Sequence, residues 1–287
     1  MSDLDFTKPA GPAKTPVEVP KAPIYDPDMA MEFFSTGRTE MVPQGATLFA
    51  ENEKGSRLLL QSDKMYLLVD GEIGLVAGGK VIGTVRKGSV FGEMASISQM
   101  PRSATAVART PCKVIGLDAG QFQSALRGKP EFALMLMSIM IGRIRDALAR
   151  QAPGAAGKVK ESAVFDKSSL AILARALSQT MVRYERNHTV VKEGQAGVLM
   201  YVVVEGRLAV TIQGKLVEKI GPGGVFGEMA LVDRTSRLAT VVSETDCGLL
   251  AIGRNTFLDL VKASPDFAVS LLGAVGERAR FIASAGR

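Results

Sequence analysis

The sequence predicts a mainly β chain with added α: two tandem β-roll or jelly-roll barrels, each flanked by helices that include a long C-terminal one. Three observations predict it. The chain repeats itself, its short apolar runs are cut by glycine, and within each repeat a strand-like period gives way to a helical one.

The repeat is the strongest of the three. Residues 65–145 align with 200–280 at a constant offset, without a gap. Met65-Tyr66 returns as Met200-Tyr201, Gly88 as Gly223, and Cys112 as Cys247. The hexapeptide from Val90 to Ala95 returns whole as Val225 to Ala230, and Arg102 returns as Arg237. A period this long is a duplicated domain and not a solenoid. Upstream of Met65 the copies differ, and the first carries extra residues between Glu51 and Met65, read as a longer loop.

Within each copy the elements follow in order. The runs MYLLVDGEIGLVAGGKVIGTVRKG and MYVVVEGRLAVTIQGKLVEKIGPGG read as strands joined into hairpins, with turns at Gly78-Gly79 and Gln213-Gly214. Two further strands follow each arginine. Helical spacing then sets in over 119–127 and 131–150, and again over 254–262 and 266–281. Pro130 and Pro265, each followed by an acid, mark the first turn of the long helices. Another helix, 168–180, opens the second copy. The expected division is a proline-rich disordered tail at 1–30, one domain at 31–151, a flexible linker at 152–165, a second domain at 166–283 and a short tail at 284–287.

Composition removes several function classes. The 287 residues hold two cysteines and one histidine, His188, too few for a disulfide scaffold or a histidine-rich metal site and an argument against a Ser-His-Asp enzyme. The longest apolar run, 132–142, is shorter than the about 20 residues a spanning helix needs. The start of the chain is acidic and proline-bearing, unlike a secretory signal. A cytoplasmic location without membrane contact is expected. The net charge of +6 is scattered, apart from Lys158, Lys160 and Lys167, and points to solvated surface and not to a nucleic-acid stripe. No metal and no catalytic residue is expected.

The segment FGEMASISQMPRSAT, Phe91 to Thr105, carries the chemistry. Gly92-Glu93-Met94-Ala95 places backbone N–H groups at a short helical turn, which suits an anion. Glu93 adds a carboxylate, and Arg102 adds a guanidinium with its fork of donors for a phosphodiester. The second copy holds Gly227, Glu228, Met229, Ala230 and Arg237 at the same spacing. A ligand with one negative charge beside a hydroxyl fits, as a cyclic nucleotide does. The alternative is an ion pair between Glu93 and Arg102 that merely closes a loop.

This segment and the glycine-punctuated strands before it resemble the phosphate-binding cassette of cyclic-nucleotide-binding domains, over roughly 31–150 and 166–283. The resemblance implies that Glu93 and Glu228 bind the ribose hydroxyl and that Arg102 and Arg237 bind the phosphate. It implies that Gly92, Met94 and Ala95, like Gly227, Met229 and Ala230, form the backbone cradle. Ser103 stands where family members place Ser, Thr or Ala. The second copy departs from the pattern: Ser236 replaces the proline before the arginine, and Leu238 takes the Ser103 position, keeping an N–H but no hydroxyl. The implied ligand is cAMP, favoured from family breadth, or cGMP.

The order of tail, barrel, linker and barrel resembles a kinase regulatory subunit in that family. The tail holds no Arg-Arg-x-Ser/Ala pseudosubstrate, and too few residues follow the second long helix for a winged helix-turn-helix, so neither a kinase partner nor direct DNA binding is expected. The reading is a non-enzymatic receptor that signals to an unknown protein partner by a ligand-dependent helix movement. Two alternatives stay open: an assembly protein with optional ligand, and a transcription regulator lacking the usual helix-turn-helix. Cys112 and Cys247 read as buried structural thiols and His188 as a polar strand-edge residue. Met135, Met137 and Met140 read as helix packing that can also offer a homodimer seam. Arg143/Arg145 and Arg278/Arg280 read as favouring the helix C-terminal dipole, with contact to a nucleotide base as the other option.

Overall fold

A computed structural model describes residues 26–53, 64–98, 100–150, 160–177, 181–232 and 236–284. The expectations for residues 1–25, for most of the extra segment before Met65, for 151–159, for 178–180 and for the short tail at 285–287 lie outside the described residues.

The first half runs α1 (Pro27–Phe33), β1 (Arg38–Val42), β2 (Thr47–Phe49), β3 (Met65–Asp70), β4 (Glu72–Ala77), β5 (Lys80–Arg86), β6 (Val90–Phe91), α2 (Glu93–Ser98), β7 (Thr105–Ala108), β8 (Cys112–Leu117), α3 (Ala119–Gly128) and α4 (Glu131–Arg150). The second runs β9 (Lys160–Ser162), α5 (Lys167–Leu177), β10 (Val182–Tyr184), β11 (Thr189–Val191), β12 (Leu199–Glu205), β13 (Leu208–Ile212), β14 (Lys215–Ile220) and β15 (Val225–Phe226). A 3₁₀ turn at Glu228–Leu231 precedes β16 (Thr240–Ser243), β17 (Cys247–Gly253), α6 (Arg254–Ala263) and α7 (Pro265–Ser284).

Each half folds two sheets over one another. The orders are β1-β8-β3-β6 and β2-β7-β4-β5 in the first, and β10-β17-β12-β15 and β11-β16-β13-β14-β9 in the second. Both hairpin turns form as read. Gly78 and Gly79, and likewise Gln213 and Gly214, all take positive φ, the type I′ geometry that matches strand twist.

Two elements begin inside segments expected to be irregular. Asp26 caps α1 by accepting from the Asp28 and Met29 N–H groups, and Pro27 stands at its first position, so the helix starts within the expected tail. Lys160–Ser162, expected as linker, adds a parallel strand to the edge of β14. Neither cue is hydrophobic, so neither registers as periodicity. Pro265 opens α7, whereas Pro130 precedes α4 by one residue.

Period-two alternation divides the interior. From β3, Tyr66 and Leu68 point between the sheets with Phe49, Ile73, Phe91 and Val114. Met65 and Leu67 point the other way, toward the helices. In β12, Tyr201 and Val203 face the barrel and Met200 and Val202 face the helices. The recurring Met-Tyr pair is thus one residue for each core.

The helical core is shared by both halves. Met135, Met137 and Met140 of α4 and Leu271, Leu272 and Val275 of α7 belong to one buried cluster, with Met94 and Ile97 of α2 in it. The methionines pack within the chain, as read, so the seam that could also have suited a second copy is filled. Phe33 stacks on Phe132, centroids 3.4 Å apart, and Phe165 stacks on Phe267 at 5.5 Å, fixing the start of each long helix in the same way. Between the halves, Gln123 Nε2 donates to Asp266 Oδ1 at 2.9 Å. Both cysteines are free and buried. Among the described residues no helix is long and apolar enough to cross a membrane.

Leu271→Ala is expected to destabilise the chain by about 2–5 kcal/mol, the range for a truncated core leucine. Because the core is common, hydrogen exchange in urea should show residues 65–70 and 200–205 losing protection together. Loss confined to 200–205 contradicts a shared core.

Candidate functional site

Each cassette starts where a short strand ends at a glycine. Gly92 follows β6 with φ 72° and Gly227 follows β15 with φ 77°, a region that favours glycine. Space demands it as well. A Cβ at Gly92 would stand 3.0 Å from Arg102 Nη1, and one at Gly227 would stand 2.6 Å from Arg237 Nη1. The chain then coils, as α2 in the first copy and as the 3₁₀ turn in the second. Met94, Ala95 and Ala230 are buried, and the half-buried Met229 packs on the helical core.

The arginines are fastened identically. Arg102 Nη1 donates to the Gly92 carbonyl at 2.7 Å and Nη2 to the Lys64 carbonyl at 2.8 Å. Arg237 donates to the Gly227 and Leu199 carbonyls, both at 2.8 Å. These carbonyls orient the guanidinium without cancelling its charge. The Arg102 guanidinium also lies 4.2 Å from the Phe49 ring centroid, a cation–π contact. In the second copy the residue at that place in the strand is Val191. Burial pushes Arg237 below the ordinary arginine range, opposed by Tyr201 and Glu228.

The carboxylates lie in the interior: Glu93 is fully buried and Glu228 is 2% exposed. Glu228 Oε1 accepts from Arg278 Nη1 at 2.7 Å. The same guanidinium grips Glu218 of β14 with two bonds, Nε to Oε2 at 3.0 Å and Nη2 to Oε1 at 3.1 Å, and reaches the Val225 carbonyl at 3.1 Å. Burial alone pushes Arg278 down, but Glu228 and Glu218 outweigh it and hold the group above its ordinary value.

This corrects the reading of Arg278 as a dipole partner. It stands inside α7 and answers two buried carboxylates, a stronger claim on a guanidinium than an exposed helix end. The repeat signalled that Arg278 mattered. Nothing signalled Glu218, because its counterpart in the first copy is Gly83. Ser103 is exposed beside Arg102. Leu238, at the matching place, packs against the helical core, which accounts for an apolar residue there. His188 is exposed just before β11, its ring tilted against that of Tyr184 with centroids 5.1 Å apart, as suits a strand-edge residue. Among the described residues no cluster of His, Cys, Asp and Glu is placed to hold a metal ion.

Comparison with known proteins places these features in a lineage. The family model described as the cyclic nucleotide-binding domain matches residues 39–129 and 181–264. The cAMP-dependent protein kinase regulatory subunit of Yarrowia lipolytica is 27% identical over 214 residues, 73% of this chain and 52% of that protein. The cGMP-dependent protein kinase of Toxoplasma gondii is 26% identical over 227 residues, 79% of this chain and 20% of that protein. Among solved structures, the regulatory domain of Toxoplasma gondii PKA in co-crystals with cAMP is 18% identical, with a TM-score of 0.31 and coverage of 87% of this chain and 89% of that one. The chain spans about half the length, or less, of the curated relatives it matches.

Arg278→Ala strips two buried carboxylates of a shared cation. It is expected to cost about 3–5 kcal/mol in chemical denaturation. Arg183→Ala, which removes the exposed pair with Glu205, should cost under about 1 kcal/mol. Equal losses would contradict the burial argument.

Proposed function

The chain belongs to the cyclic nucleotide-binding domain family, and from that premise we propose that it is a non-enzymatic cytoplasmic receptor for a cyclic nucleotide, cAMP in preference to cGMP, that signals to a partner protein. One observation carries this reading. In both halves a guanidinium is fastened to the carbonyl of the glycine that immediately precedes a buried glutamate.

A cyclic nucleotide brings one phosphodiester charge and, beside it, a ribose 2′-hydroxyl. Arg102 supplies the countercharge, held by neutral carbonyls and so still cationic toward a ligand. Glu93 supplies the acceptor for the hydroxyl. Backbone N–H groups of Gly92, Met94 and Ala95 cradle the phosphate, with the Ser103 hydroxyl at its edge. In the second half Gly227, Glu228, Met229, Ala230 and Arg237 do the same, and Leu238 offers only its N–H. The preference for cAMP rests on family breadth and on the 27% identical Yarrowia lipolytica relative named for that messenger, set against the 26% identical Toxoplasma gondii relative named for cGMP.

Signalling follows from where the cassette sits. Met94 and Ile97 of α2 share a core with α4 and α7. A ligand that draws the backbone at Gly92–Ala95 toward its phosphate therefore displaces side chains on which both long helices rest. The response is a shift between two populations, in proportion to how much better the ligand binds one of them. The partner is a protein that reads the changed surface of α4 or α7.

Titration calorimetry with cAMP is expected to show binding that Arg102→Ala weakens by more than tenfold, from a loss of about 2–5 kcal/mol for a truncated charge pair. Unchanged affinity would sink the assignment. Hydrogen exchange across 131–150 should change on saturation with cAMP, and identical exchange would remove the helix movement from the proposal.

A further inference from the structure

The terminal helix α7 touches the cassettes of both halves. On one side, Arg278 bonds to Glu228 of its own half. The other side faces the first half. A Cβ at Gly276 would stand 3.8 Å from Met94 Cε and 3.9 Å from Met140 Sδ, so this face of α7 lies against α2 and α4. Arg280 lies four positions after Gly276, on the same face and one turn further along. Glu93, the residue before Met94, is fully buried in that neighbourhood. Arg278 and Arg280 are two positions apart, about 200° around a helix, so they aim at opposite halves.

Arg280 is poised there without a hydrogen bond for its inward atoms. Its Nε and Nη2 are buried and meet no acceptor among the described residues. Burial lowers its proton affinity, and the charges of Glu93 and Glu277 counter that effect. A guanidinium is not brought out of water in this way without an anion to face, and a carboxylate as buried as Glu93 needs a cation within reach.

We propose that Arg280 is a positioning residue for the first site: from the second half, its guanidinium sets the orientation in which Glu93 meets the ribose 2′-hydroxyl. The first site's discrimination between a ribonucleotide and its 2′-deoxy analogue then depends on a side chain of the second half. This rests on the cyclic-nucleotide reading of the cassette and adds to it the source of its sugar selectivity.

The test uses the full chain carrying Arg237→Ala, so that the first site dominates, titrated with cAMP and with 2′-deoxy-cAMP. The parent should prefer cAMP by about tenfold or more, the worth of a hydrogen bond to a charged group. Arg280→Gln should bring the two affinities within about threefold of each other by weakening cAMP alone, while Arg280→Lys keeps most of the preference. Arg280→Met, similar in length and uncharged, is the second variant should the first fail to fold. Equal weakening of both ligands would mean that Arg280 only supports the fold, and an unaltered preference would mean that it does not act on Glu93; either overturns the inference while the receptor reading stands. A parent that binds neither nucleotide overturns both.

Discussion

A carboxylate in an apolar interior must be answered by a cation, and this requirement organises the molecule around one helix. Both cassettes bury a glutamate beside the helical core, and α7 packs against both, answering Glu228 with Arg278. Desolvating a pair of charges consumes most of what their attraction returns, so such a pair is a poor way to gain stability. It is a good way to fix position. The Arg278 fork with Glu218 and Glu228 allows α7 one rotation and one height against the second barrel. Once α7 is fixed, so is the face it offers to α2 and α4, and the helical core of the first half is built on that face.

The two copies have kept the same anchor for arginine and changed what surrounds it. The carbonyl pair that holds the guanidinium is common to both. In the first copy Phe49 covers the guanidinium and a hydroxyl residue, Ser103, follows it. In the second copy Val191 replaces the ring, Leu238 packs inward, and Glu218 brings a second buried carboxylate where the first copy has Gly83. The anchoring of the arginine is thus duplicated, whereas the surroundings of the two buried glutamates differ. Glu228 is bonded by Arg278 of its own half, and Glu93 is buried beside Met94, which packs against α7.

Much of this is legible in the amino-acid sequence. The unbroken apolar runs MYLLV and MYVVV report strands buried on two sides, Gly78-Gly79 and Gln213-Gly214 report hairpin turns, and the doubled hexapeptide reports the cassette, because each is a local consequence of backbone geometry. What stayed hidden depends on contacts between distant positions. Glu218 reads as an ordinary polar residue in a strand, and only the return of α7 across it shows why it is buried. Arg278 recurs at the repeat spacing, yet its partners lie 50 and 60 positions away, so the sequence offers a helix end as the nearer explanation. The shared core was equally invisible, since the apolar stripe of α4 suits a second copy of the chain as well as it suits α7. The first turn of α1 and the edge strand β9 carry no signal in the sequence, because a cap and one parallel pairing leave no hydrophobic period.

The second cassette also constrains how a ligand can act in the proposed receptor. Glu228 gives one oxygen to Arg278. A carboxylate has about four lone-pair sites, so the ribose hydroxyl can be accepted without evicting the arginine. Eviction would leave the glutamate short of its cation at a cost of about 3–5 kcal/mol, close to the about 5.5 kcal/mol of differential affinity that a complete two-state shift requires. A ligand spending its advantage that way would have little left to move a helix. Adding to the pair leaves that advantage available. The movement then has to originate in the backbone between Gly227 and Ala230, where phosphate and cassette meet, with the buried Arg278 cluster carried along intact as the rigid link to α7.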